Sequence, residues 1–325
     1  MKVFVSSLGV MGRRHLIGAM KAGAEVLGFD PSEASVEKAK EAITKAGLDL
    51  AKVKFTATLP TNQSFDAAIF SETADFRVQN FLKFTETNTA KRIMLEKPVA
   101  RGPADLEKMQ GQVAGLETKG TQVFVNFPRR TWPFYMAMKE RWAKDTALEM
   151  TLNGGAVGLG CNGIHYIDTF AFLSSKISDK FEVLHARGST ELIGSGRGER
   201  FKDYGGTFLL KKGPATFYLS IDPTGTPTPV LTFKSKNSVM WVDENNYTYR
   251  EWNKTAGFEK PTYLYGQDYS ILGEGAVEYR DLISLTQLWT NSELMLPKFG
   301  EVIESHHMLF ALLKAANIQE PYLFT

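Results

Sequence analysis

The sequence predicts an α/β chain in two parts: an N-terminal doubly wound parallel sheet, then an α+β domain built on an open, mostly antiparallel sheet. Three observations predict it. Over the first ~125 residues short apolar runs alternate with helical patterns, as in a parallel sheet covered on both faces. After Arg130, strand patterns follow one another across short Gly/Pro/Asn turns with no helices between them, the mark of antiparallel pairing. The length, 325 residues, suits about two domains and a large buried core. We expect one domain over 1–126 and a second over 127–325.

The elements follow from local pattern. Residues 2–6 (KVFVS) form the first strand and 24–29 the second, with a glycine-bearing turn and a helix start between them. Pro31 and Ser32 open a helix that runs through Lys45, and Gly47 sits where a C-terminal cap belongs. Residues 53–58 and 66–70 (DAAIF) are the third and fourth strands. The helix over 74–86 draws its apolar residues from Phe76, Val78, Phe81, Leu82 and Phe84. The fifth strand, 92–95 (RIML), ends at Glu96-Lys97-Pro98. Pro103 starts another helix in a favourable first-turn position, and 123–126 is the sixth strand.

In the second part, 132–144 and 164–173 read as helices and 148–152 as a strand. Strands follow at 181–191, 205–211, 215–221, 230–234 and 239–242, joined by turns such as Lys212-Gly213-Pro214 and Pro223-Thr224-Gly225. Phe208 and Leu210 alternate on one strand, and Phe217, Leu219 and Ile221 on the next, so the sheet has an apolar face. If helices leave part of that face open it marks an interface, and we expect a homodimer or homotetramer. Helices over 279–288 and 299–316 end the chain.

Composition narrows the function. The chain is 43% apolar and 23% charged, as ordinary globular proteins are. A net charge of +2 points to neither nucleic acid nor a membrane surface. The single cysteine, Cys161, excludes an internal disulfide framework and fits a reducing, cytoplasmic setting. No basic stretch followed by an apolar core opens the chain, and no apolar run reaches the ~18 residues of a membrane span.

The most informative motif is Ser7-Leu8-Gly9-Val10-Met11-Gly12 between the first strand and the first helix, with Asp30 ending the second strand. This has the mechanics of a dinucleotide site. Gly9 lets the backbone approach a pyrophosphate, Gly12 lets helix and sheet pack closely, and the N–H groups of the helix start, at Val10 and Met11, face the phosphates. Ser7 stands where the fingerprint has its first glycine. Asp30 would accept the ribose hydroxyls and repel a 2′-phosphate, so NAD is expected over NADP, with only Arg13 or Arg14 as nearby cations.

Two further constellations carry chemistry. Glu96-Lys97-Pro98 lies at a strand end, which topology puts at the mouth of the cofactor crevice. Lys97 there is either a group that orients a substrate oxygen or one half of a surface Glu-Lys pair. The second is Gly160-Cys161-Asn162-Gly163-Ile164-His165-Tyr166-Ile167-Asp168, after a glycine-rich loop. His165, in the first turn of a helix, is either a proton relay or a histidine satisfied at the helix start. Asp168, three residues on, shares its helix face. Cys161 reads as a small buried apolar group rather than a nucleophile, and no second ligand pair accompanies Cys161 and His165, so no metal is expected.

In order and spacing, Ser7-x-Gly9-x-x-Gly12-x-x-His15, Glu96-Lys97-Pro98, the 126–130 segment (NFPRR) and Gly163-x-His165-x-x-Asp168 resemble the Gfo/Idh/MocA oxidoreductases, over nearly the whole chain. The resemblance implies an N-terminal Rossmann domain, a C-terminal open-sheet domain and NAD(P)-dependent oxidation or reduction of a sugar, polyol or nucleotide-sugar. It implies Lys97 and His165 as catalytic residues and Glu96 with Lys97 beside the cofactor. Cys161, Asn162, Asp168 and Arg130 become candidate substrate contacts. Cys161 occupies a position commonly held by aspartate in that family, and a thiol is a much weaker acceptor than a carboxylate. Two alternatives therefore stay open: an NAD(P)-binding regulator without catalysis, and an NAD-dependent glycoside hydrolase.

Four groups remain open in role. Arg129 and Arg130 suit either an acidic ligand or a linker ion pair. The basic 194–200 loop suits a closing loop or a hairpin tip. His15 suits a cofactor contact or packing. His306 and His307 read as structural.

Overall fold

The computed structural model describes residues 1–142, 148–155, 157–194, 198–222, 229–236, 238–253 and 273–324. In chain order its elements begin with β1 (Lys2–Ser6), α1 (Val10–Lys21), β2 (Glu25–Phe29), α2 (Glu33–Lys45), β3 (Val53–Thr56), β4 (Ser64–Phe70), α3 (Ala74–Thr87), β5 (Thr89–Leu95), α4 (Pro103–Glu117) and β6 (Gln122–Val125). There follow α5 (Pro133–Trp142), β7 (Glu149–Gly154), α6 (Ile164–Leu173), β8 (Phe181–Gly194), β9 (Lys202–Lys212), β10 (Ala215–Ile221) and β11 (Val230–Lys234). The last are β12 (Ser238–Asp243), β13 (Thr248–Asn253), β14 (Gly273–Ala276), α7 (Leu282–Thr290) and α8 (Ile303–Ala315).

The chain divides into two compact units. The first combines Met1–Thr131 with Arg280–Glu304, and the second combines Trp132–Tyr279 with Ser305–Phe324.

In the first unit six strands pair in the order β3-β2-β1-β4-β5-β6, every pair parallel. Strand order reverses between β1 and β4, and the crevice beyond their C-terminal ends is where such sheets bind ligands. Local chemistry sets the boundaries. Ser32 caps α2 by accepting the Ser35 N–H, and Gly47 takes φ +68° just past its end. Pro103 occupies the first turn of α4. Under the sheet Phe4, Phe70 and Phe84 are fully buried, with Phe4 stacked on Phe84 at 4.7 Å and Phe70 edge-on to Phe84 at 5.3 Å. The apolar face expected of 74–86 is modified: Phe76 is 46% exposed, and the buried place beside it belongs to Arg77.

The segment 280–304 packs with this first unit, whereas the sequence reading assigns all of 127–325 to the second domain. A Cβ at Gly18 of α1 would lie 2.6 Å from Thr286 Cβ and 2.7 Å from the Ile283 carbonyl, so the missing side chain lets α7 lie against α1. Trp289 is fully buried, edge-on to Phe124 at 6.0 Å, with the Arg92 guanidinium 4.7 Å from its ring centre. The Val125 N–H donates to the Pro297 carbonyl, which ties the segment to β6.

The second unit holds an eight-stranded sheet in the order β14-β13-β12-β11-β7-β10-β9-β8. Every pair is antiparallel except β7 with β10. The face carrying Phe208, Leu210, Phe217, Leu219 and Ile221 is at most 2% exposed, so it is covered within one chain. Phe170 of α6 stacks on Phe217 at 5.5 Å, and Tyr135 and Trp142 of α5 pack on Phe233. The expected open apolar face is therefore not this one. Its opposite face exposes Tyr218, Val230 and Trp252, with Trp252 edge-on to Trp241 at 4.9 Å.

Two strands escape sequence reading. β13 (TYREWN) places Arg and Glu between its aromatics, and β14 is a short glycine-bearing edge. The helix expected over 279–288 begins later, because Asp281 caps α7 by accepting the Ile283 and Ser284 N–H groups. The helix expected over 299–316 opens with a separate 3-10 turn, Phe299–Val302. His306 is buried and His307 exposed on α8. The centre of the basic 194–200 loop, 195–197, lies outside the described residues. Among the described residues no helix is long and apolar enough to cross a membrane.

Candidate functional site

The dinucleotide motif forms the turn from β1 into α1. Ser7 takes φ +67°, the left-handed conformation that a glycine adopts without cost and that costs other residues about 1–2 kcal/mol. Its N–H donates to the Phe29 carbonyl at 2.7 Å, and its carbonyl accepts the Ser71 hydroxyl at 3.0 Å. These bonds hold the strained turn. Gly12 is required sterically, since a Cβ there would fall 1.8 Å from the Ser7 carbonyl oxygen. Gly9 is exposed, and nothing lies within 4 Å of where its Cβ would be except Ser7 Oγ, at 4.0 Å.

Gly9 is the N-cap of α1, which has no side-chain cap and no acid in its first turn. Val10 is 60% exposed at that helix start and Met11 half-buried. Asp30 is 8% exposed; it accepts the Leu8 N–H on Oδ2 at 2.8 Å and the Ser32 N–H on Oδ1 at 2.9 Å. Each oxygen keeps a lone pair for a hydroxyl. The Arg13 guanidinium donates to the Leu8 carbonyl at 3.0 Å and so belongs to the turn. An exposed, uncapped helix start beside a held carboxylate fits a dinucleotide.

Glu96 and Lys97 follow β5. They are 4% and 7% exposed, which sets aside the surface-pair reading. Glu96 Oε1 pairs with His15 Nε2 at 2.9 Å and accepts Asn126 Nδ2 at 2.6 Å, while Oε2 accepts the Lys97 N–H at 3.3 Å. His15 Nδ1 meets Thr286 Oγ1 at 2.9 Å, and that hydroxyl donates to the Leu282 carbonyl at 2.7 Å. Both nitrogens of the ring thus have a hydrogen-bond partner. Burial by itself would raise the Glu96 pKa, but the hydrogen bond and charge of His15, the Lys97 charge and Asn126 outweigh it and bring it to about 2. His15 is fully buried, so its role is to anchor this turn.

A second buried group braces the turn from the other side. Arg77, 1% exposed, donates to the Pro98 carbonyl and to the Glu72 carbonyl. Glu72 itself accepts from the Ser6 hydroxyl and from Asn80 at 3.1 Å, and burial pushes its carboxyl above the usual range. Arg130 donates to the Glu301 carbonyl at 3.2 Å, a bond between Thr131-side and 299–302 turns of the same unit.

In the second unit the glycine-rich stretch forms a π-helical turn, Gly158–Gly163, that runs straight into α6. Cys161 is half-buried, Asn162 exposed and His165 half-buried on the first turn of α6. Asp168 is 1% exposed and accepts the Ser305 hydroxyl at 2.7 Å, which fastens α6 to α8. Among the described residues no group of three or more His, Cys, Asp or Glu could hold a metal.

Sequence reading missed Arg77, Thr286 and Asp203. Arg77 sits in an apolar helical pattern, and Thr286 and Asp203 reach their partners only through long-range folding. Asn126 opens the 126–130 segment (NFPRR), whose pattern gives no sign of its bond to Glu96.

The Glu96 network yields a pH prediction. An unfolded glutamate titrates near 4.5, so the stability that Glu96 contributes is full above that pH and is lost as pH falls toward 2. We expect Glu96→Gln to lower stability by roughly 3 kcal/mol at pH 7, and the gap from the parent to close between pH 4.5 and 2. Urea unfolding at several pH values measures this; a gap that stays constant would contradict it.

No protein-family model matches the sequence, and no curated protein matches it. Solved structures do. UDP-N-acetylglucosamine 3-dehydrogenase GnnA from Acidithiobacillus ferrooxidans is similar at TM-score 0.62 and 15% identity, over 99% of this chain and 98% of that one. An oxidoreductase from Agrobacterium radiobacter, solved with NAD+, L-tartaric acid and magnesium, matches at TM-score 0.66 and 12% identity, over 98% and 96%. The transcriptional regulator Gal80p from Kluyveromyces lactis matches at 0.68 and 12%, over 97% and 89%. Across nearly its whole length, the chain has the fold of the Gfo/Idh/MocA oxidoreductases.

Proposed function

We propose that this protein is an NAD-dependent oxidoreductase acting on a hydroxyl or carbonyl carbon of a sugar, polyol or nucleotide-sugar. The observation that carries this is the buried Glu96-Lys97 turn, braced by His15, Asn126 and Arg77 in the same unit as an open dinucleotide cradle. Lys97 is 7% exposed beside the Glu96 carboxylate, and such buried clusters of titratable groups are candidate sites.

The α1 N-terminus with Gly9, Val10 and Met11 would hold the pyrophosphate, and Asp30 the ribose. The bound nicotinamide supplies the hydride acceptor or donor. Lys97 would orient and polarise the reacting oxygen. His165 would take or give its proton. Asn162, exposed beside Cys161, is the candidate substrate contact on the π-helical turn, with Arg130 a second. Asp168 we assign to the helix pair it fastens. The likeness to a UDP-N-acetylglucosamine dehydrogenase and to an NAD+ complex supports the reading.

The likeness to Gal80p supports the second reading, a nucleotide-binding regulator, and an NAD-dependent glycoside hydrolase is the third. One assay separates the three. NADH absorbance is followed against a panel of sugars, polyols and nucleotide-sugars, with glycosidic cleavage and cofactor binding measured alongside. We expect turnover with net NADH. Cofactor binding without turnover would favour the regulator; glycosidic cleavage without net NADH would favour the hydrolase. His165→Ala and Lys97→Ala should each keep NAD affinity and lose on the order of 10²–10⁴-fold in kcat. Full activity in both overturns the assignment.

Cofactor choice follows from Asp30. Titrated by intrinsic fluorescence, NADH should bind more tightly than NADPH, and Asp30→Ala should narrow the gap. Tighter NADPH binding by the parent contradicts this. Assembly through the sheet face that exposes Tyr218, Val230 and Trp252 would give a homodimer or homotetramer. Light scattering at micromolar concentration should show it, and a monomer would refute it.

A further inference from the structure

The turn that leads to His165 is wider than an ordinary helical turn, and such a turn leaves its first backbone N–H groups without helical partners. Here the partner is a carboxylate from a distant strand. Asp203, on β9, is 5% exposed. Its Oδ1 accepts the Gly160 N–H at 2.7 Å and the Tyr204 N–H at 2.8 Å, and its Oδ2 accepts the Cys161 N–H at 2.7 Å. These are short, charge-assisted bonds to two successive N–H groups of the turn, the geometry of an N-cap supplied from outside the helix.

The glycines make room for it. A Cβ at Gly158, where φ is +42°, would lie 2.3 Å from Asp203 Oδ2. A Cβ at Gly160 would lie 2.3 Å from the Phe324 ring. Side chains at either position would push the turn off the carboxylate or off the aromatic ring. The turn is thus moulded between Asp203 and Phe324, and α6 starts from the end of that mould. His165 is four residues beyond the bonded Cys161 N–H, so its bearing is set by where Asp203 holds the turn.

We propose that Asp203 is a positioning residue: its carboxylate fixes the Gly158–Gly163 turn and, through it, the placement of His165 for proton transfer. The proposal rests on the reading of His165 as the proton relay. Its conformational half can be tested without any substrate, because Cys161 is the chain's only cysteine and sits on the turn itself.

The experiment compares the full chain with Asp203→Asn and with Gly158→Ala. The asparagine keeps the shape but turns one acceptor oxygen into a donor. The alanine keeps the carboxylate and displaces it from the turn, which covers the case in which Asp203→Asn fails to fold. Three readouts are taken on each: the rate at which Cys161 reacts with dithionitrobenzoate, the His165 C2–H resonance (assigned with His165→Gln), and NADH affinity. We expect NADH affinity within twofold of the parent, a thiol rate at least tenfold altered, and a displaced His165 resonance. With the best substrate of the sugar panel, kcat should fall at least tenfold while KM moves less than threefold.

An unchanged thiol rate with an unchanged His165 resonance overturns the proposal. A turn that responds while kcat holds overturns its catalytic half. If the parent turns over no substrate, the proposed function fails, and the thiol and resonance readouts still decide whether Asp203 places His165.

Discussion

The hydrogen bond between His15 and Glu96, at 2.9 Å with both partners buried, is the interaction on which the first unit's candidate site depends. Four elements meet at it. His15 comes from α1, Glu96 from the end of β5, Asn126 from the end of β6, and Thr286, which accepts from the far side of the ring, from α7. Burying the Glu96 carboxylate is unfavourable unless it is hydrogen-bonded and its charge compensated, and removing a partner from such a buried charge typically costs about 3–5 kcal/mol. The chain therefore cannot place Lys97 without placing Glu96, or Glu96 without bringing α7 back against α1. The chain's return to the first unit at Arg280–Glu304 has its reason here as well as in the packing of Trp289.

The turn from β1 into α1 shows what the missing glycine at position 7 entails. A serine with φ +67° is held there by the Phe29 and Ser71 bonds and by the tight fit of Gly12 beneath its carbonyl. The fingerprint survives because its two remaining glycines serve different needs. Gly12 has no room for a side chain, whereas Gly9 has open space and faces solvent. Only the first is demanded by the protein itself.

Much of this was legible in the sequence because periodicity and turn chemistry are local. The parallel sheet of the first unit, the α6 helix at 164–173 and the strands 215–221 and 230–234 follow from pattern alone. What stayed hidden was long-range polar pairing. Arg77 reads as an interruption of an apolar helix face and is in fact a buried brace for the Glu96–Pro98 turn. The burial of Lys97 cannot be read from Glu-Lys-Pro, since the same three letters describe an exposed strand end. Alternation alone marks the apolar face of the second sheet at Phe208, Leu210, Phe217, Leu219 and Ile221, but pattern cannot say what covers a face. Here α5 and α6 do.

The two turns that carry the candidate chemistry share one construction. Asp30 accepts the N–H groups of Leu8 and Ser32, and Asp203 those of Gly160, Cys161 and Tyr204. In each case a buried carboxylate at a strand end gathers backbone donors from a glycine-bearing segment that leads into a helix. Glycine-rich backbone is entropically expensive to order, and a charged acceptor with several lone pairs is an efficient way to order it. Both sets of bonds are made by backbone N–H groups, so each carboxylate sets the course of its turn through the main chain, and the glycines beside it leave the room it needs.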